Sequence, residues 1–264
     1  QGAYLSREGE TVLVRVENAT RLQVPIHTLG GIVCFGQVSC SPFLLGLCAE
    51  RGVGVSFLTE YGRFLASVRG PVSGNVLLRR EQYRRADDPA WSARIARACV
   101  AAKIANSRTV LLRAAREHAD SQIAEELSNA AHYLAQVMER LKETPPLDTI
   151  RGCEGDAART YFGVFDHLIT AQKEDFQFTE RSRRPPLDPI NALLSFLYTL
   201  LVHDVASALE TTGLDPAVGY LHRDRPGRPG LSLDLMEEFR PFIADRLALT
   251  LINRQQIRGK GFEK

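Results

Sequence analysis

The sequence predicts an α+β protein: a small β-rich domain over residues 1–70, a linker at 71–75, and a larger all-α domain over residues 76–264. Three observations carry this. Up to Gly70, apolar and polar residues alternate in short runs rich in β-branched side chains, the period of a half-buried strand. Beyond Gly70-Pro71-Val72-Ser73-Gly74 the period lengthens to that of an amphipathic helix. With 44% hydrophobic and 24% charged residues, a chain of 264 can bury a core in each part.

The first strand begins at Tyr4. Residues 11–16, Thr-Val-Leu-Val-Arg-Val, alternate between turn-like Arg7-Glu8-Gly9-Glu10 and Glu17-Asn18-Ala19-Thr20. Residues 21–25 and 31–36 give a third and a fourth strand. Ser41-Pro42-Phe43 then opens a helix that runs to Glu50, with Pro where its missing N–H is harmless. Residues 53–58 and 64–68 form a hairpin around Glu60-Tyr61-Gly62. In the second domain, helices are expected at 76–87, 90–105, 107–119, 121–142, 148–172, 189–212 and 231–255. They are interrupted at Asp88-Pro89, Pro145-Pro146, Pro185-Pro186 and the Gly/Pro/Arg loop 223–230. Pro241 is expected to kink the last helix.

The net charge of +2 is too small to announce a nucleic-acid binder, but 28 of the 33 basic residues are Arg, which grips phosphate in two places where Lys cannot. A GC-rich genome would give the same bias, so clustering is the better signal. Arg79, Arg80, Arg84 and Arg85 surround Tyr83; Arg181, Arg183 and Arg184 form a second cluster; Arg254, Arg258 and Lys260 a third. Each alone reads as a solvated face; together they favour a polyanion surface. The five cysteines include no C-x-x-C pair and read as reduced thiols of a cytoplasmic protein, not as zinc ligands. No uninterrupted run of about 18 apolar residues suggests a membrane span. The first residues carry no signal core and no Met, so the natural start is expected upstream.

Three residues suit a divalent-cation site: Glu154, His222 and Glu237. Two carboxylates and an imidazole leave open positions for water and a phosphate oxygen. Glu154 shares a helical face with Ala158, Tyr161, Phe165 and Leu168, a costly place for a carboxylate unless it is paired or bound to metal. A first-turn Glu favoured by the helix dipole is the plainer reading. Gly152 and Gly155 beside it suggest a close approach to the backbone. His222 ends the run Val218 to Leu221 and opens a loop holding Arg223, Arg225 and Arg228, as suits a phosphate site, though a lone His is more often structural. Asp234 and Glu237, three apart, point to one side of the last helix. The adjacent pair His203-Asp204 is a weak match to HD-type metal phosphohydrolases, with His118, Asp120, His132 and His167 available as further ligands.

With these residues placed, the chain resembles the CRISPR-associated integrase and endonuclease family, the universal proteins of spacer acquisition, and among them those of type I systems. The match runs along essentially the whole chain. It is most specific in the stretches 154–162 (EGDAARTYF), 188–198 (DPINALLSFLY), 213–222 and 231–241 (LSLDLMEEFRP). The resemblance implies a β-rich dimerisation domain, a helical catalytic domain, and Glu154, His222 and Glu237 as ligands of Mg²⁺ or Mn²⁺. Family members often carry Asp where Glu237 stands. Asp234, Tyr161, Ser195 and Tyr198 lie in the matched stretches as candidate accessory groups, and Lys103 and Asn106 fit the family pattern as DNA-facing residues. A further C-terminal helical part is expected beyond Lys264. The partners implied are double-stranded DNA (prespacer and CRISPR repeat), a second copy of the chain, a small ferredoxin-like partner dimer, and an Fe–S exonuclease that trims prespacers; no membrane is implied.

The chemistry implied is transesterification, in which a DNA 3′-hydroxyl attacks a phosphodiester at a repeat boundary. Two other readings stay open: a metal-dependent nuclease or phosphohydrolase acting by water attack, and a DNA-binding scaffold without catalysis.

Overall fold

The computed structural model describes residues 2–68, 70, 75–118, 120–183 and 185–262. The linker expected at 71–75 lies outside the described residues except for Asn75. The chain divides into two compact units, residues 1–79 with 206–214, and residues 80–205 with 215–264.

The first unit contains β1 (Ala3–Glu8), β2 (Thr11–Val16), β3 (Ala19–Pro25), β4 (Gly31–Phe35), β5 (Val38–Cys40), α1 (Pro42–Glu50), β6 (Gly54–Leu58) and β7 (Phe64–Val68). The strands form two sheets, ordered β3-β2-β1-β5 and β4-β6-β7. β1 pairs antiparallel with β2 and parallel with β5, while β4 runs parallel to β6. Val16 faces Ala19 across a two-residue turn in which Glu17 and Asn18 both take positive φ (52° and 62°), the geometry whose twist matches a hairpin. Ser41 caps α1 by accepting the Leu44 N–H at 3.1 Å. Leu5, Val12, Leu44, Leu47 and Val55 are buried between these elements. The sequence pattern does not reveal β5, because three residues are too few to show a period.

The helices are α2 (Val76–Ala86), α3 (Pro89–Glu117), α4 (Ser121–Glu139), α5 (Leu147–Gly163), α6 (Pro189–Thr211), α7 (Gly230–Phe239) and α8 (Arg246–Asn253). Three expectations are corrected. Residues 89–117 form one helix rather than two: Ser107 is buried and the Asn106 amide donates to the Glu238 carbonyl at 2.8 Å, so tertiary contacts carry both through a stretch of weak helix formers. α5 ends at Gly163, and Phe165–Leu168 make a 3₁₀ turn where a helix to 172 was expected. The last helix is interrupted by a π-helical turn, Arg240–Asp245, around Pro241, which has no N–H to give.

α3 packs on α4, α5 and α7. Ile104 and Leu111 of α3, Leu134 of α4 and Ile150 of α5 are wholly buried in this helical core. α6 has an 18-residue window of mean hydropathy 1.6, long and apolar enough by composition to cross a membrane, which the search for an uninterrupted apolar run overlooks. Its Ile190, Leu194, Leu197 and Leu201 belong to the helical core, and 28% of the window is buried.

Candidate active site

α5 and α7 both pack against α3, which brings Glu154 and Glu237 together over one side chain of α3. The Lys103 ammonium pairs with Glu154 Oε1 and, at 2.6 Å, with Glu237 Oε2. Arg240 takes the other oxygen of Glu237, Nη1 to Oε1 at 2.6 Å. Glu237 is only 2% exposed. Burial alone would raise its pKa, but Arg240 and Lys103 reverse this and hold it at about 2; the carboxylate is ionised wherever the protein is folded at neutral pH.

His222 is placed by Asp234. This carboxylate is wholly buried and accepts four hydrogen bonds: Oδ2 from the backbone N–H groups of Tyr220 (2.5 Å) and Leu221 (2.8 Å), Oδ1 from the His222 backbone N–H (2.9 Å) and the His222 ring at Nδ1 (2.6 Å). With Nδ1–H committed to the carboxylate, the lone pair of the neutral ring is on Nε2. Arg151 holds the same turn from α5, donating Nε and Nη2 to the Leu221 carbonyl at 2.9 and 2.8 Å. Two glycines let this loop lie against the start of α7. A Cβ on Gly219 would stand 2.6 Å from the Gly230 carbonyl carbon, and one on Gly230 2.7 Å from the Ala217 oxygen. Beside Gly152 and Gly155, where a close approach was expected, the space is open.

Glu154, His222 and Glu237 line one cavity of about 750 Å³. Arg181, Arg183, Arg225, Arg228 and Arg240 border it, and Ser195 and Tyr198 form part of its wall. The loop residue Arg223 lines an adjoining cavity with Arg225, Arg228 and Glu154. Arg181 is held by Asn191 Oδ1 (2.6 Å) and Ser195 Oγ (3.2 Å) and lies over the Tyr198 ring, as does Arg240. The Tyr198 hydroxyl donates to Asp245 at 2.6 Å. Burial pushes the Asp245 carboxyl up to about 6, against the pull of Tyr198, Tyr161 and Arg240. Tyr161 is buried among Phe162 and Phe165 and takes the role of a core ring beside Asp245.

The other expected DNA-facing residues divide. Arg80 and Arg84 are exposed on α2, and Arg79 is half-buried. Arg85 is engaged by Glu81 at 2.7 Å and stacks on Trp91 at 3.9 Å. Arg184 lies outside the described residues. Lys103 corrects the sequence reading, since it is 7% exposed and pairs with Glu237 of α7 inside the fold, while Asn106 is half-buried and donates to the Glu238 carbonyl. An isolated Lys in an Ala-rich helix gives no sign of such a partner. Arg240 and Asp245 were not singled out either; the three-residue spacing of Glu237 and Arg240 is the signal that could have found the former.

Among the described residues, no three His, Cys, Asp or Glu side chains form a ready cluster for a metal. This leaves the HD-type reading without support, and His167 is bound to Glu126 at 2.8 Å. At the Glu154–Glu237 pair, an ammonium stands between the two carboxylates. The donor set itself fits a divalent cation, with two carboxylates converging on one positive charge and an imidazole whose Nδ1–H is anchored by a buried carboxylate.

Arginines around a cavity suit a polyanion, and carboxylates at its foot suit work on that polyanion's phosphodiester. Fold and site thus define a nucleic-acid-handling enzyme. The chain belongs to the CRISPR-associated protein Cas1 family, whose model matches residues 1–264. A CRISPR-associated endonuclease Cas1 of Chlorobaculum tepidum is 58% identical over 263 residues, covering 100% of this chain and 77% of its relative. A Cas4 exonuclease/Cas1 endonuclease fusion of Geobacter sulfurreducens is 35% identical, over 98% of this chain and 47% of the fusion. The solved structure of a Cas1 protein from Thermotoga maritima superposes with a TM-score of 0.79 at 28% identity, over 99% of this chain and 80% of that one. Family membership carries a CRISPR-associated endonuclease role.

Proposed function

We propose that this chain is a metal-dependent DNA strand transferase that joins the 3′-hydroxyl of a short duplex, the prespacer, to a phosphodiester of a CRISPR repeat. The observation that supports the reading is that Glu154, Glu237 and the Asp234-anchored His222 all line one arginine-bordered cavity. Mg²⁺ or Mn²⁺ would be held by the two carboxylates and His222 Nε2, and the imidazole ligand favours tolerance of Mn²⁺. Bound there, the cation supplies Lewis-acid polarisation of the scissile phosphate. The protein's own part is positioning. Arg181, Arg183, Arg225 and Arg228 bind and orient the DNA backbone, and Asp234 keeps His222 in one tautomer. Bonds made and broken are of one kind, so orientation rather than energy input is what the site must provide.

Residues 1–70 are assigned to self-association, since the edges of two short sheets are commonly covered by a second copy. A small ferredoxin-like partner dimer would hold two such dimers on DNA. The Cas4/Cas1 fusion in Geobacter supports a trimming exonuclease as a further partner. A cytoplasmic location accords with free cysteines throughout.

The test is a joining assay with a 3′-hydroxyl duplex and a repeat-bearing supercoiled plasmid in Mn²⁺. Joined products are expected from the wild type and none from His222→Ala, which should still bind duplex DNA. Cleavage without joining would favour water attack, and metal-independent binding without either product would leave only a scaffold.

A further inference from the structure

The Lys103 ammonium occupies the place between Glu154 and Glu237 where a cation would sit. Glu237 has two oxygens: Oε1 is taken by Arg240, and Oε2, the one left to a metal, is the one Lys103 holds. Glu154 Oε1 pairs with the same ammonium. The charges balance as they stand, two carboxylates against Lys103 and Arg240, in a place where Glu237 and Lys103 are almost wholly buried. Two further positive charges cannot enter beside the ammonium without strong repulsion, because low polarity magnifies charge interactions. Lys103 also sits on a flexible four-carbon stem that can withdraw.

Building on the metal-site reading above, we infer that Lys103 is a built-in competitor for the divalent cation. It keeps the two carboxylates paired and in position when no metal is bound, and it must leave Glu154 and Glu237 for metal to bind. Lys103 is therefore a positioning residue of the metal-free protein, and its withdrawal is part of metal loading. The lysine weakens affinity for the cation; in exchange, the empty site does not leave Glu154 without a counter-ion and the buried Glu237 with Arg240 alone, two carboxylates that would repel each other.

The test measures Mn²⁺ affinity directly, by calorimetry or by electron paramagnetic resonance of free Mn²⁺, on the whole chain. Lys103→Met and Lys103→Gln are expected to bind Mn²⁺ at least about tenfold more tightly than wild type, since metal no longer has to break the ion pairs of Lys103 with Glu154 and Glu237. They should also show a larger rise in Tm on adding Mn²⁺, because metal replaces the missing charge. A measurement on the unaltered protein stands in if the variants do not fold. Only five lysines are present, so in ¹⁵N-lysine-labelled protein the Lys103 ammonium resonance should move on saturation with Mg²⁺. Glu154→Ala separates the two possible failures. If wild type binds Mn²⁺ and Glu154→Ala does not, yet the Lys103 variants bind equally or more weakly or the ammonium signal stays fixed, the competition is wrong and the metal site stands. If no form binds Mn²⁺, the metal site falls and the competition with it.

Discussion

Replacing Asp234 with Asn tests whether His222 is set by its buried partner. The amide keeps the shape of the carboxylate but turns one acceptor into a donor. If the NH₂ takes the Oδ2 position, it faces the N–H groups of Tyr220 and Leu221; at the Oδ1 position it faces the His222 N–H and Nδ1. Either way two hydrogen bonds to the wholly buried carboxylate are lost at a site with no solvent to replace them. At roughly 1.5–3 kcal/mol each, the loss is about 3–6 kcal/mol of stability, a large share of a domain's total. In the second orientation His222 can recover a bond only by accepting at Nδ1, which moves its proton to Nε2 and ends its ability to ligate metal. The expected outcome is a drop of that size in denaturant unfolding, with Mn²⁺ affinity and joining activity down by about 10–100-fold, as when partners of metal-ligating histidines are removed. The ¹⁵N shifts of His222 report the tautomer independently of stability: Nδ1–H in the wild type, a mixture or Nε2–H in the variant. An Asp234→Asn protein with wild-type stability and an unchanged His222 tautomer would refute the reasoning.

Two further predictions follow from charge. Glu237 falls from an ordinary pKa of 4.5 to about 2 in the folded chain, so with chelator present its contribution is complete above pH 4.5 and is lost as pH falls towards 2. At 1.36 kcal/mol per pH unit, the stability difference between wild type and Glu237→Gln should shrink by about 2 kcal/mol between pH 4.5 and 3; a constant difference would show that Glu237 is not so held. Asp245 acts in the opposite sense, its raised pKa favouring the folded state as pH falls below about 6, and it cancels in this comparison. In duplex-DNA binding against salt concentration, Arg225→Ala and Arg228→Ala should each flatten the log–log slope by about 0.9, one phosphate contact apiece, while Arg85→Ala, whose guanidinium is already held by Glu81 and Trp91, should leave it unchanged. Equal slopes for all three would show that the loop arginines do not touch phosphates.

Much of the fold was legible because local chemistry and tertiary structure agree. Thr11–Val16 alternates and is a strand, Ser41-Pro42 opens α1, and Asp88-Pro89 marks the break between α2 and α3. Legibility fails where partners distant in sequence decide. The stretch Ala105-Asn106-Ser107 reads as a break, yet it stays helical because Asn106 has a carbonyl of α7 to bind. α6 has the mean hydropathy of a membrane span, and that its Ile190, Leu194, Leu197 and Leu201 belong to a core is seen only in the folded chain.

The same limit applies to the site. Glu154 stood out as a carboxylate on an apolar face, His222 as an imidazole beside clustered arginines, and Glu237 by its spacing from Asp234 and the family resemblance, and such features survive in one dimension. What neutralises them does not survive there. Lys103 lies 51 residues before Glu154 in a helix of small residues, and only packing of α5 and α7 on α3 makes it their common counter-ion. Pro241 was readable as a kink, but its consequence needed the structure. A π turn adds a residue to the helical cycle and rotates all that follows by roughly 100°. Arg240, at its start, remains one turn from Glu237 and pairs with it, while Asp245, at its end, faces Tyr198 in the interior. Pro241 thus stands between the residue that holds Glu237 ionised and the residue that anchors the ring on which Arg240 rests, linking the irregular turn to the electrostatics of the site.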